Sequence, residues 1–219
     1  MTPGAAAVPA GPAVPAGPMV PAPGFADPAR GAQRAFRAVL DALAHPTRPY
    51  PLARLAEPPA ALGPGLAAVA LTLLDGDCSA WLGGALGRDA DTAAWLAFHT
   101  GVRRTENPAA ADFVITGPET LPPLGSLSLG TDEMPSLSAT VVLDVRGCSG
   151  RPAPARFTAE GPGIDGTATL TAPWAPPGFA GTWRGNTELF PRGIDLLLVD
   201  SGTVTGLPRT TRLSAEPEV

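Results

Sequence analysis

The run Ile194-Asp195-Leu196-Leu197-Leu198-Val199 constrains the fold of this 219-residue chain more than any other segment. Successive side chains of a β-strand point to opposite faces, so a run that is apolar at both odd and even positions needs cover on both faces. It reads as a central strand of a sheet. Pro191-Arg192-Gly193 precedes it and Asp200-Ser201-Gly202 follows it, and both triplets are turn signals.

The segments before it supply helices. Asp27 suits an N-cap and Pro28 a first helical position, and Ala32, Ala35, Phe36, Val39, Leu40 and Leu43 recur at helical spacing as the expected core face. Pro46 ends that helix near His45. A second helix is predicted over 65–74. A third starts at Asp89 or Asp91, runs through Trp95, Leu96 and Phe98, and stops at Gly101. Strands are predicted at 113–116 and 138–145, and a pair at 156–158 and 167–171 flanks the turn Gly161-Pro162-Gly163-Ile164-Asp165-Gly166. A short helix is expected over 178–189, and a last extended segment carries Leu207-Pro208-Arg209-Thr210-Thr211-Arg212. Helices first and strands later give a mixed α/β domain, a mixed sheet with flanking helices. No G-x-G-x-x-G follows a strand, so a dinucleotide-binding fold gains no support.

Residues 1–23 are almost wholly Ala, Pro, Gly and Val and carry no charge, which predicts a disordered leader. The first basic residue is Arg30, so the leader lacks the positive region of a signal peptide. One domain is expected over 24–213, with 214–219 as a tail. No apolar run is long enough to span a membrane. The formal net charge of -5 is scattered, with no basic block to follow a nucleic-acid backbone. Cys78 and Cys148 are expected as free thiols of a cytoplasmic protein, and His45 and His99 are not spaced as metal ligands. All 15 basic residues are arginine. Without lysine the chain can form no Schiff base, no covalent pyridoxal-phosphate aldimine and no Walker-type phosphate contact.

The candidate chemistry is therefore arginine chemistry. Arg192, held between Pro191 and Gly193, suits a forked contact to phosphate or phosphonate oxygens, or a salt bridge to a local carboxylate or a neighbouring subunit. Arg209 is a second candidate ligand contact. On one extended strand Arg209 and Arg212 point to opposite sides, which assigns Arg212 to an interface. His99, at a helix end, is a candidate acid or base near a substrate, or else a helix-capping residue. Gly161 to Ile164 reads as a hairpin turn, and Asp132–Glu133 as a solvated pair rather than a magnesium site. No serine elbow or cysteine–base pair supports covalent catalysis, so no residue is assigned a catalytic role.

The segments G-F-A-D-P (24–28), Q-R-A-F-R-A-V-L-D-A-L-A-H-P (33–46), L-T-L-L-D (71–75), F-H-T-G (98–101), G-P-G-I (161–164), F-P-R-G-I-D-L-L-L-V (190–199) and L-P-R-T-T-R (207–212), in this order, resemble the bacterial carbon–phosphorus lyase subunit family PhnH. The resemblance implies a part in organophosphonate breakdown, as a homodimer within a cytoplasmic core complex of four different subunits. That complex uses ATP as substrate and attaches an alkylphosphonate to C1 of ribose, displacing adenine, to give a ribose 1-alkylphosphonate 5-triphosphate. It also implies a fold similar to the large domain of pyridoxal-phosphate-dependent transferases, without the cofactor. Three readings remain: a structural, non-catalytic subunit, one that contributes Arg192, Arg209 and His99 to a nucleotide or phosphonate site, or an unrelated stand-alone small-molecule enzyme.

Overall fold

A computed structural model describes residues 21–55, 57–150 and 154–215, and the structural statements below concern these residues. The expectation of a disordered leader falls mostly on residues outside them. Five helices, α1 (Pro28–Ala44), α2 (Gly63–Leu73), α3 (Gly84–Arg88), α4 (Ala90–Thr100) and α5 (Phe179–Thr187), surround two sheets. Ten strands form the sheets: β1 (Pro49–Pro51), β2 (Ser79–Leu82), β3 (Arg103–Arg104), β4 (Phe113–Thr116), β5 (Thr140–Asp144), β6 (Ala155–Glu160), β7 (Ala168–Ala172), β8 (Asp195–Val199), β9 (Thr203–Leu207) and β10 (Arg212–Ala215).

The larger sheet has the order β1-β9-β8-β5-β4-β2-β3. Its five strands β8, β5, β4, β2 and β3 are mutually parallel, and β9 and β1 are added antiparallel to their neighbours. The second sheet is the antiparallel set β10-β6-β7. The fold is thus mixed α/β, with β8 inside the larger sheet as its composition requires.

Side-chain alternation divides the interior into two cores. On one face Ile115, Val142, Leu197, Val199 and Val204 meet α1, α2 and α4. On the other, Val114, Val141, Leu143, Leu196, Leu198 and Leu207 meet α5 and the smaller sheet. The residue pairs Val142–Leu197 and Leu143–Leu198 stand opposite each other across β5 and β8, so neighbouring strands agree in which face each row serves. Burying one such Leu or Val side chain contributes about 1.5–3 kcal/mol.

Helix α1 begins as expected, with Asp27 Oδ1 accepting from the Arg30 N–H at 3.1 Å and Pro28 in the first turn. Its buried face differs from the expected one. Ala35, Ala38, Val39 and Ala42 are buried, whereas Phe36 and Leu40 are 47% and 50% exposed. The reason is a close approach: a Cβ on Gly206 of β9 would lie 2.4 Å from the Ala42 carbonyl oxygen. Only the small-residue face of the helix can come that near, and the bulky residues are left outside.

Helix α4 is capped by Asp89, which accepts from the Thr92 N–H at 2.9 Å, and it ends at Gly101 in the left-handed region (φ 70°). The Thr92 hydroxyl also donates to Asp89, and the two bonds hold the Asp89 carboxyl below the usual carboxylate range. Helix α5 ties the last strands together. Buried Asn186 accepts from the Ile194 N–H at 2.8 Å and donates to the Ile194 carbonyl at 2.9 Å, as a neighbouring strand would. Trp183 donates its indole N–H to the Thr211 carbonyl at 2.7 Å.

Candidate functional site

Arg192 and Arg209 lie where β5 and β8 begin, and Arg209 is the hub. β9 ends at Leu207, and a turn closed by the Thr211 N–H to the Pro208 carbonyl (2.8 Å) passes the chain to β10 in the other sheet. Arg209 therefore lies in a turn and does not share a strand with Arg212, contrary to the alternation argument. Its guanidinium is fully engaged. Nε donates to Asp195 Oδ1 (3.1 Å) and Oδ2 (3.2 Å). The two N–H groups of Nη1 reach the Pro135 and Pro191 carbonyls, both at 3.2 Å. Those of Nη2 reach the Ser138 hydroxyl and Asp195 Oδ2, both at 2.6 Å.

A guanidinium has five N–H donors, and here all five act within the protein. None is left for a phosphate or phosphonate oxygen. The pair is largely buried, with side-chain exposures of 13% for Arg209 and 23% for Asp195. It joins the loop before β5, the loop before β8 and the turn after β9.

Arg192 is the freer cation. Its Nε lies 3.1 Å from Asp132 Oδ1, but the N–H is not aimed at that oxygen, so the contact is an ion pair and buried Nε has no hydrogen bond. The side chains are 39% and 71% exposed, a setting in which ion pairs contribute about 0–1 kcal/mol. Asp132 thus pairs with an arginine, and among the described residues no group of three or more His, Cys, Asp or Glu stands ready for a metal. Arg212 is exposed and sits opposite Glu160 in the β10–β6 register.

His99 shares no partner with either arginine. Its Nε2 lies 2.9 Å from the Ala22 carbonyl, which also accepts the Trp95 indole N–H at 2.8 Å. The Trp95 and Phe98 rings lie 4.6 and 5.0 Å from its own. His99 therefore pins the segment entering α1 onto α4. His45 caps α1 instead, with Nδ1 3.1 Å from the Asp41 carbonyl. The 161–166 loop closes the β6–β7 hairpin, and a Cβ on Gly163 would lie 1.9 Å from the Ala44 carbonyl oxygen, so that loop docks against the end of α1. Burial pushes the Cys78 thiol up from its ordinary range.

The opposite end of the sheet holds features that the sequence did not announce. After β5, Arg146 donates to both Asp144 oxygens, at 2.9 and 2.7 Å, and to the Ala61 carbonyl at 2.7 Å. It lies over Gly63 (φ 64°), where a Cβ would come within 1.8 Å of Nη1. The Asp144 hydrogen bonds raise the Arg146 pKa further above the ordinary arginine value. A cleft of about 350 Å³ opens between β9 and β7, with Thr47, Thr171, Thr203, Thr205 and Asp200 on its walls and Leu198 beneath them. Threonines spaced two apart on a strand are the only sequence trace of that cleft, and they are equally common on plain surface strands.

Taken together, Arg209 braces loops while Arg192 and Arg212 lie at the surface, and among the described residues no set of nucleophile, base and orienting group is assembled around them. No helix among the described residues is long and apolar enough to cross a membrane. A family model described as bacterial phosphonate metabolism protein (PhnH) matches residues 23–214. The chain is 39% identical over 194 residues to the alpha-D-ribose 1-methylphosphonate 5-triphosphate synthase subunit PhnH of Rhizobium meliloti (strain 1021), covering 88% of this chain and 94% of that protein. It is 34% identical over 193 residues to HtxG of Stutzerimonas stutzeri, which bears a C-P lyase subunit designation, covering 83% of this chain and 85% of HtxG. The segments that suggested the resemblance lie within the matched span, and the chain belongs to the PhnH family of bacterial phosphonate metabolism proteins.

Proposed function

We propose that this chain is an accessory, non-catalytic subunit of a carbon–phosphorus lyase core complex. In this reading it works as a homodimer, in the cytoplasm, beside the other core subunits. The complex joins an alkylphosphonate to C1 of the ribose of ATP, displaces adenine, and so forms a ribose 1-alkylphosphonate 5-triphosphate. The observation that carries the reading is the state of Arg209. Arg209, one of the two arginines the sequence offers for holding a phosphonate, spends all five donors on Asp195, Ser138, Pro135 and Pro191. A residue so committed stiffens a surface and has nothing left to offer a substrate.

The same reading takes the fold as similar to the large domain of pyridoxal-phosphate-dependent transferases, used without the cofactor. The mixed sheet with a parallel centre supports this, and the lack of lysine leaves no residue for a covalent aldimine. The test is reconstitution of the core complex with and without this chain, alongside the isolated chain, supplied with ATP and methylphosphonate. Product is expected only from the complete assembly. Turnover by the isolated chain, or an undiminished rate when it is omitted, would overturn the proposal.

A further inference from the structure

The amino end of the larger sheet carries an apolar surface on loops that are tied to one another. Arg209 Nη1 donates to the Pro135 and Pro191 carbonyls alike, each at 3.2 Å, so the two loops meet at one nitrogen. Met134 directly precedes Pro135 and Phe190 directly precedes Pro191, which places both beside that junction. Leu137 ends the short helical turn that starts at Pro135, and its N–H donates to the Met134 carbonyl at 3.2 Å. The Gly193 N–H adds a second tie, donating to the Leu129 carbonyl at 2.9 Å. On this frame Phe190, Leu137 and Met134 are 63%, 53% and 51% exposed.

Side chains of this size have full areas of roughly 150–250 Å², so the three together present roughly 300 Å² of apolar surface, a size at which patches mark interaction sites. Loops already held in place lower the ordering cost of binding, and Phe, Met and Arg are the residue types enriched where proteins meet. Arg192 stands among them. Its Nε is buried against Asp132 while the side chain is 39% exposed, so the exposure falls on the rest of the side chain. No hydrogen bond among the described residues uses its Nη groups, and these donors match an acceptor brought from outside.

Area decides against a second copy as the occupant. A two-fold contact uses the same patch on both sides, and two such patches cover roughly 600 Å² in total, short of the roughly 1,000 Å² of a stable interface. A segment of a different chain has no such limit, since it can continue over the neighbouring loops.

We propose that this patch is the seat of another subunit of the core complex, which lays an apolar segment over Phe190, Met134 and Leu137 and sets a carboxylate or carbonyl oxygen against Arg192. The inference rests on the accessory-subunit reading and adds to it the docking surface and the chemistry of the partner.

The test is uptake of the full-length chain by the remaining core subunits, purified and mixed, and followed by light scattering. It compares the wild type with Phe190→Glu, Leu137→Glu, Arg192→Ala and Phe36→Glu. Phe36 is 47% exposed on α1, outside the patch, and serves as the control. Each glutamate in the patch is expected to weaken uptake about thirtyfold and Arg192→Ala about tenfold, with Phe36→Glu unchanged. Melting temperature and oligomeric state of each isolated variant are expected to match the wild type. Full-strength uptake of Phe190→Glu and Leu137→Glu overturns the proposal. So does a change in self-association of either isolated variant, which gives the patch to a second copy, or an equal loss in Phe36→Glu. Should a glutamate variant fail to fold, Arg192→Ala decides, because its ion pair is exposed on both sides. A wild-type chain that is not taken up removes the accessory-subunit reading and this inference together, whereas variants taken up as well as the wild type remove this inference alone.

Discussion

The two ends of the larger sheet are each braced by an arginine on a carboxylate, and the two braces differ in reach. At the amino end Arg209 ties Asp195 to Pro135, Ser138 and Pro191, joining segments far apart in sequence. At the carboxyl end Arg146 grips Asp144, two residues away, and touches one distant carbonyl, that of Ala61. The first brace closes three connections; the second stiffens one turn and leans on another. The lesson is that a cation beside a buried strand says little about ligands until its donors are counted. The end rich in suggestive arginines is filled by its own loops, while the open cleft lies at the other end among hydroxyls.

That contrast is open to direct attack, and Arg209→Ala carries the largest expected effect. The substitution removes five donors and leaves Asp195 part-buried with only the Arg209 backbone N–H to accept from. Breaking a buried pair costs about 3–5 kcal/mol, and the residual exposure of both side chains brings the expected loss to about 3 kcal/mol. Urea denaturation should show the midpoint falling with an unchanged slope. Arg209→Lys should recover only a fraction, since an ammonium cannot reproduce the planar fork. A loss below about 1 kcal/mol would mean that Arg209 is not the brace described.

Arg146→Ala comes next, at about 1–2 kcal/mol, because the pair it breaks is local and the guanidinium reaches only one carbonyl, that of Ala61, beyond it. The comparison also makes a sharper demand. With Arg146 shortened, Gly63 loses its steric neighbour, so Gly63→Ala should cost less in the Arg146→Ala background than alone. The positive φ of Gly63 keeps some cost in both. A double-mutant cycle measures this coupling, and equal costs in the two backgrounds would show that the Arg146–Gly63 contact does not restrain the turn.

A third effect sits at the carboxyl end as well. Asp89→Ala removes the α4 cap, worth about 1 kcal/mol at neutral pH. The sign with pH follows from the depressed carboxyl. The folded-state pKa lies below the unfolded one, so the contribution is present above the unfolded carboxylate range and is lost as pH falls through the folded value. Melting temperatures of wild type and variant should therefore converge on acidification below pH ~4. A difference that persists at low pH would assign the cost to something other than the ionised cap.

What the sequence disclosed and what it withheld have physical causes. Long elements with a period, a cap and a stop were legible: α1 from Asp27 and Pro46, α4 from Asp89 and Gly101, β8 from its two-sided apolarity, and the hairpin from its glycines. The short strands β1, β2 and β3 were not. Two to four residues carry no measurable period, and it is their neighbours in the sheet that hold them. The face of α1 was misjudged because hydrophobicity favours Phe36 and Leu40, while the approach of Gly206 selects alanines. The site residues were legible as cations and illegible as partners, since Asp195, Ser138, Pro135 and Pro191 converge on Arg209 only through the order of strands.

Arg192→Ala should have the smallest effect of the set, and for that reason it separates the two amino-end arginines most cleanly. Its ion pair with Asp132 is exposed on both sides and lacks an aimed N–H, so the expected change in stability is about 0.5 kcal/mol or less. Around it Phe190, Met134 and Leu137 are 63%, 51% and 53% exposed, on loops that Arg209 holds together through the Pro191 and Pro135 carbonyls. The substitution should therefore leave melting unchanged. If the core complex docks here, incorporation of this chain during reconstitution should fall while the isolated fold stays intact. Arg209→Ala should lower both together, because the surface it supports would no longer be held. Equal losses of stability in the two variants would erase the distinction between the arginine that braces the fold and the one left at its surface.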